Sequence, residues 1–171
     1  IEDVCGRTGF DEKWKQYREE GKKPGTVKRG IGLAVTFRGT GLGGEGIDTA
    51  DARVTIEKDG SVNIQSGLTE MGQGMRTAHA QIVAEILGIS LDRITFLNTD
   101  TSVTMDGGPT VASRGTLAGG RAMMIAAEKL GRRLAEVAAS EFGCKEDEIV
   151  HEDNKIFPAA TRGKTLSFEK L

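Results

Sequence analysis

Cysteine is scarce in this chain of 171 residues: there are two, Cys5 and Cys144. They lie far apart, without a CxxC pair or a neighbouring histidine, which argues against a zinc site and against a disulfide framework. Charge of one sign is lacking too. Lys and Arg number 23 against 25 Asp and Glu, a net charge of −2, so no basic field is offered to nucleic acid or to an anionic membrane surface. Apolar runs are short, the stretch from Ile31 to Phe37 among the longest, far below the length of a membrane span. No basic, apolar, small-residue leader opens the chain, and the expectation is a soluble, cytoplasmic protein. Prolines number three, and no fixed period runs through the sequence, so collagen-like and linker compositions do not fit.

What is abundant is glycine. There are 24 in 171 residues, about 14% against a usual share of roughly 7%. They gather at 39–46, 67–74 and 107–120, where the lack of a Cβ lets backbone approach another backbone or a ligand. Hydrophobic residues at 37% suffice for one core.

Phe10, Trp14 and Tyr17 recur at helical spacing, and Gly21 and Pro24 follow as stop signals, so residues 10–20 read as a short helix. Between Lys28 and Phe37 the alternation of Ile31, Leu33 and Val35 predicts a strand entering the first glycine cluster. Residues 53–57 and 61–65 alternate around Lys58-Asp59-Gly60 and predict a hairpin. Met75, Ile82 and Ile86 mark the apolar stripe of a helix that Gly88 ends, and Ile94 with Phe96 starts another strand. A long helix is expected from about Ser113 to Phe142, burying Leu117, Met124, Ala127, Leu134 and Ala138, with Gly143 as its stop. Short strands around Ile149 and Ile156 complete an α+β fold: an antiparallel or mixed sheet including the hairpin, backed by two main helices, one of them long, with a short N-terminal helix. Residues 1–26 read as an N-terminal helical segment and 27–171 as part of a second domain. The chain starts at Ile1 without methionine and ends just after Ser167, which resembles a helix N-cap, so a piece of a longer polypeptide is expected.

Three segments carry candidate chemistry. Gly39-Thr-Gly-Leu-Gly-Gly44 matches GxGxxG, but Asp48 and Thr49 follow at once and the next strand starts within ten residues, too few for a dinucleotide-binding βαβ crossover. Gly67-Leu-Thr-Glu-Met-Gly-Gln-Gly74 joins a strand to a helix, placing amides at a helix N-terminus that favours an anion, with Gly72 and Gly74 flanking the amide side chain of Gln73. Taken on composition alone, a helix-initiating turn explains it equally well. The segment from Asp106 to Thr116 repeats this logic at the start of the long helix, so that two helix N-termini face one ligand. Arg114 either reaches an anionic cofactor or complements a carboxylate. His79 reads as a packed helix-flank residue and His151, in an acidic stretch, as solvated.

Gly67-Leu-Thr-Glu-Met-Gly-Gln-Gly74, then a helix, Leu87-Gly-Ile, a strand and Gly108-Pro-Thr-Val-Ala-Ser113 together resemble the molybdenum hydroxylases, the xanthine dehydrogenase and aldehyde oxidase family, over most of the chain. The resemblance implies a large subunit that holds a pterin dithiolene molybdenum cofactor and hydroxylates an electron-poor carbon with oxygen from water. Gln73 resembles the family glutamine whose side chain contacts the cofactor, with Gly72 and Gly74 shaping its loop. Ala112 resembles the alanine whose amide contacts an oxygen ligand of the molybdenum, and Ser113 its neighbour on the cofactor side. Arg114 is placed with them. The family's catalytic glutamate, in a Gly-Glu-Pro setting, has no counterpart here, and neither do its substrate-pocket arginine and upstream glutamine loop, so no catalytic residue is assigned. Implied partners are the rest of the large subunit and iron–sulfur and FAD domains or subunits, with a homodimer also open. The isolated chain is expected to be inactive and its site empty. Substrate is left open, while the Gly-Gly-Pro-Thr-Val-Ala-Ser-Arg version resembles prokaryotic members, which implies the cytosine dinucleotide form of the pterin. Two other classes remain: a stand-alone nucleotide- or phosphate-binding module, and a non-catalytic interaction domain.

Overall fold

The computed structural model describes residues 1–25, 27–46 and 48–170. They form two compact units, Ile1–Arg38 and Gly39–Leu171.

In the first unit, α1 spans Glu2–Thr8 and α2 spans Phe10–Lys22. Gly9, at φ 59°, both ends α1 and starts α2, a left-handed conformation that glycine adopts without a Cβ penalty. The expected helix over 10–20 is therefore present. α1, which lacks an apolar stripe, was not foreseen. Trp14 and Tyr17 of α2 form a groove with Ile31 of the following segment. The strand expected between Lys28 and Phe37 is not formed. A strand needs a hydrogen-bonded neighbour, and among the described residues this segment has none. Beyond Ile31 its alternation survives only as exposed side chains, with Val35 at 63% and Phe37 at 100% exposure.

The second unit contains two three-stranded sheets. β1 (Ala52–Ile56) and β2 (Val62–Ser66) form the expected hairpin, antiparallel with Val54 opposite Ile64. Its turn closes where the Gly60 amide donates to Glu57 O at 2.9 Å, and Gly60 takes φ 76°. β2 then leads through α3 (Met75–Leu87) to β3 (Ile94–Phe96), which pairs with β2 in parallel, so the first sheet is mixed, in order β1-β2-β3. A crossover helix is the ordinary means of joining parallel neighbours.

The long helix starts with a π-helical turn, Gly115–Gly119, and continues as α4 (Gly120–Phe142), with Gly143 as its left-handed stop. Its buried residues include Met123, Ala127, Leu134 and Ala138. Leu117 is 56% exposed, contrary to expectation, and Met123 takes the fully buried place expected of Met124. A π turn holds more residues than an α turn, so the apolar phase counted from Leu117 slips before α4 begins. On α3 the buried line is Met75, His79, Val83 and Leu87, with Ile82 and Ile86 only half-buried beside it. β4 (Ile149–Glu152), β5 (Lys155–Pro158) and β6 (Leu166–Ser167) form the second sheet, antiparallel throughout. One core joins Val62 and Ile64 of β2, Val83 and Leu87 of α3, Met123, Ala127 and Leu134 of α4, Ile156 of β5 and Phe168. His151 is not solvated as expected: half-buried on β4, its ring meets Phe168 edge-on at 6.5 Å.

Candidate functional site

Because β2 and β3 run parallel and side by side, the loops that leave their C-terminal ends rise from the same edge of the sheet. The two loops cross at Gly67 and Gly107. A Cβ on Gly67 would stand 2.1 Å from Met105 O and 2.3 Å from the Gly107 amide nitrogen, distances that leave room only for hydrogen. Further out, the Thr69 amide donates to Thr110 Oγ1 at 2.8 Å. Between these loops lies a cleft of about 410 Å³. Gln73, Ala112, Ser113 and Arg114 all line it, together with Met71 and Met75. Gly72 and Gly74, at φ 101° and 82°, shape the loop on either side of Gln73.

The Gln73 side chain folds back over its own loop. Its Oε1 accepts from the Met71 amide at 2.6 Å and its Nε2 donates to Thr69 O at 2.9 Å. Glu70 occupies the start of α3. One carboxylate oxygen accepts from the Gly72 amide at 2.7 Å and the Gly74 amide at 3.0 Å, and the other from the Arg76 amide at 3.0 Å. These donors, the Arg76 amide foremost and then the Gly74 amide, hold the Glu70 carboxyl below its ordinary range. The expectation that two helix N-termini face one anion is thereby corrected, because the first already holds a carboxylate from its own loop.

The second loop is different. Ala112 and Ser113 both have positive φ, 48° and 61°, and the Arg114 amide donates to Val111 O at 2.9 Å. Positive φ at both central residues and an i to i+3 hydrogen bond define a type I′ turn, a geometry normally given to Asn-Gly. Here it is built from Ala and Ser, so the turn carries backbone strain of the kind that gathers at functional sites. The Ala112 carbonyl accepts from the Gly41 amide at 2.8 Å. In a trans peptide N–H and C=O point in opposite directions, so anchoring Val111 O and Ala112 O turns the Ala112 and Ser113 amides away from those anchors. Among the described residues neither amide has an acceptor. Arg114 is 1% exposed and pairs with Asp48 at 2.5 Å, the carboxylate-complementing alternative of its two expected roles. Sequence reasoning missed Asp48, which precedes Arg114 by 66 residues and carries no local motif. It also missed the full burial of His79, whose Nε2 lies 2.9 Å from Gly115 O.

Two loops at the carboxyl edge of parallel neighbours, one with a glycine-flanked amide side chain and one with a strained turn and free amides, define a binding cleft for a ligand rich in hydrogen-bond acceptors. The chain belongs to the molybdopterin cofactor-binding domain family, whose profile matches residues 4–171. It is 34% identical over 136 residues to the xanthine dehydrogenase molybdenum-binding subunit of Escherichia coli O157:H7, covering 78% of this chain and 18% of that protein. The solved quinoline 2-oxidoreductase of Pseudomonas putida 86 superimposes with a TM-score of 0.65 at 28% identity, over 70% of this chain and 15% of that one. A reconstituted CO dehydrogenase from Oligotropha carboxidovorans gives the same TM-score and identity over 71% and 15%. The chain thus spans less than a fifth of the length of these proteins.

The donor set fits such a cofactor. No group of three or more His, Cys, Asp or Glu able to hold a bare metal ion occurs among the described residues. Residues lining the cleft carry instead the backbone amides of Ala112 and Ser113, without acceptors among the described residues, and one spare proton on Gln73 Nε2, donors that suit a group whose metal arrives with its own organic ligand and bears oxygen atoms. Among the described residues no helix is long and apolar enough to cross a membrane.

Proposed function

We propose that this chain forms one wall of the molybdenum cofactor site in a larger hydroxylase of the xanthine dehydrogenase and aldehyde oxidase type. The observation that supports this reading best is the Ala112-Ser113 turn, which leaves two amides without acceptors beside the cleft that Gln73 also lines. Those amides donate to oxygen atoms of the cofactor, and Gln73 orients it through its side-chain amide. Gly72 and Gly74 let the Gln73 loop approach closely. When bound, the cofactor supplies the redox chemistry for hydroxylating an electron-poor carbon, a purine, aldehyde or N-heterocycle, with oxygen from water. The general base, the substrate funnel and the iron–sulfur and FAD electron carriers come from other parts of the enzyme, so the isolated 171 residues are inactive. The pterin is the cytosine dinucleotide form, and the enzyme works in the cytoplasm. Relatives named for xanthine, quinoline and carbon monoxide share this domain, which agrees with substrate choice being made elsewhere.

The full natural polypeptide, purified from molybdate-fed cells that make the pterin, tests the reading by metal analysis and by fluorescence of the oxidised pterin. Stoichiometric molybdenum in the wild type and its loss in Ala112→Pro, which removes one amide donor and cannot hold φ at 48°, are expected. A wild type free of both molybdenum and pterin overturns it.

A further inference from the structure

Arg114 ends the strained turn with its backbone and leaves it with its side chain. Its amide closes the turn on Val111 O, while its guanidinium, almost fully buried, is spent on Asp48 Oδ1 and Pro109 O, each at 2.5 Å, on Gly107 O at 3.2 Å and on Thr49 O. A buried guanidinium is tolerated only when its charge and donors are matched, and Asp48 is the anion among these partners. The second Asp48 oxygen accepts the Leu42 amide at 2.9 Å. A Cβ on Gly41 would lie 2.6 Å from that oxygen, and the Gly41 amide is the donor that anchors Ala112 O. One carboxylate therefore grips the first glycine cluster with one oxygen and the base of the strained turn with the other.

We propose that Asp48 is a positioning residue for the cofactor cleft. By holding Arg114 and the Leu42 amide together it presses the Gly41 amide onto Ala112 O and keeps the Ala112 and Ser113 amides in their strained orientation. The first glycine-rich segment, whose GxGxxG pattern resembles a nucleotide loop, then serves as a brace behind the cleft, not as a ligand loop. Arg114 acts inside this brace and does not touch the cofactor. This rests on the cofactor reading given above.

The test compares wild type, Asp48→Asn and Arg114→Lys in the full natural polypeptide. Asp48→Asn keeps the volume and one acceptor but removes the charge. Arg114→Lys keeps the charge but not the fork that reaches several acceptors at once. Amide hydrogen exchange is read at Gly41 and Arg114, with Ile64 in β2 as the core reference, and molybdenum per chain is read on the same samples. Expected for both variants is a loss of protection at Gly41 and Arg114 of about tenfold or more with Ile64 unchanged, together with molybdenum content at least several-fold below wild type. Unchanged protection at Gly41 and Arg114, or an equal loss at Ile64, overturns the proposal. So does full molybdenum retention in variants whose exchange is altered. A wild type without molybdenum defeats the cofactor reading and the proposal's functional half together, while the exchange result still decides whether the brace exists.

Discussion

His79 and Gly115 are joined across the two cleft-bearing helices: the imidazole Nε2 donates to the Gly115 carbonyl at 2.9 Å, and the ring is fully buried. A carbonyl only accepts, so this contact assigns the proton to Nε2 and leaves Nδ1 as a bare acceptor, without a partner among the described residues. The bond ties α3 to the first residue of the π turn, immediately after the Ala112-Ser113-Arg114 turn. Gly119 makes room for it, since a Cβ there would meet the ring at 3.2 Å and Leu68 Cδ1 at 2.5 Å.

Burial pushes the His79 imidazole below its ordinary pKa of 6.5, and His151 is lowered by burial in the same way. Below pH 6.5 the unfolded chain takes up protons that the native state refuses. The stability these residues contribute is complete above that pH and falls away as pH drops beneath it. Urea midpoints are expected to decline between pH 7 and pH 5. His79→Gln should flatten part of that decline while costing about 1–3 kcal/mol at pH 7. An unchanged slope in the variant refutes the assignment.

Gly67→Ala is expected to be among the most damaging single substitutions in the second unit. Its Cβ would collide with backbone atoms of Met105 and Gly107, which no rotamer change relieves. Loss of about 3 kcal/mol or more is expected, read as a fall in Tm. Gly107→Ala, whose Cβ would stand 2.9 Å from Gly67 C, should act in the same direction.

Ser113→Gly should raise stability. A non-glycine residue in the left-handed region costs roughly 1–2 kcal/mol, and glycine's extra freedom in the unfolded chain returns roughly 0.5–1 of it. A gain of about 0.5 kcal/mol in thermal or urea unfolding is expected, accompanied by faster amide exchange at Arg114, whose amide closes the turn. A loss of stability would show that the Ser113 side chain contributes more than its backbone costs.

Glu169 is pushed down to about 2 by the Ser167 hydroxyl and by Arg93, which also donates to Asp59 O in the hairpin turn. A carboxylate with a depressed pKa stabilises fully above its unfolded value, near 4.5, and that contribution is lost as pH falls from there toward 2. Glu70 is shifted in the same direction by the amides at the start of α3. Glu169→Gln should therefore lower the urea midpoint at pH 7, where the contribution is complete, and converge on wild type as pH falls from 4.5 toward 2, followed by circular dichroism. Glu70→Ala should lower the thermal midpoint at pH 7, since it strips the acceptor from the Gly72, Gly74 and Arg76 amides at the start of α3.

The hairpin was legible because Val54, Ile56, Val62 and Ile64 alternate around an Asp-Gly turn, so local chemistry and tertiary packing agree. The segment from Lys28 to Phe37 alternates equally well, yet it forms no ladder, because periodicity describes which faces a strand would have and not whether a neighbour exists. Gln73, Ala112 and Ser113 were legible as a set through motif resemblance, and the structure places them around one cleft. Asp48 was not, since its role depends on a contact made across 66 residues. The phase error on the long helix has the same character: nothing in Gly115-Thr-Leu-Ala-Gly119 announces a π turn, although the closeness of Gly119 to His79 and Leu68 shows what it accommodates.

The parallel pairing of β2 and β3 also sets a ruler beneath the cleft. Adjacent strands in a sheet stand ~4.8 Å apart, a spacing fixed by the hydrogen bonds between them. Both loops are rooted on that spacing and pinned where Gly67 meets Gly107. The floor of the cleft can therefore neither widen nor narrow without breaking the sheet. Divergence can lengthen or re-aim the loop tips, but the gauge at which their bases meet is inherited from the backbone and passes unchanged through side-chain substitution.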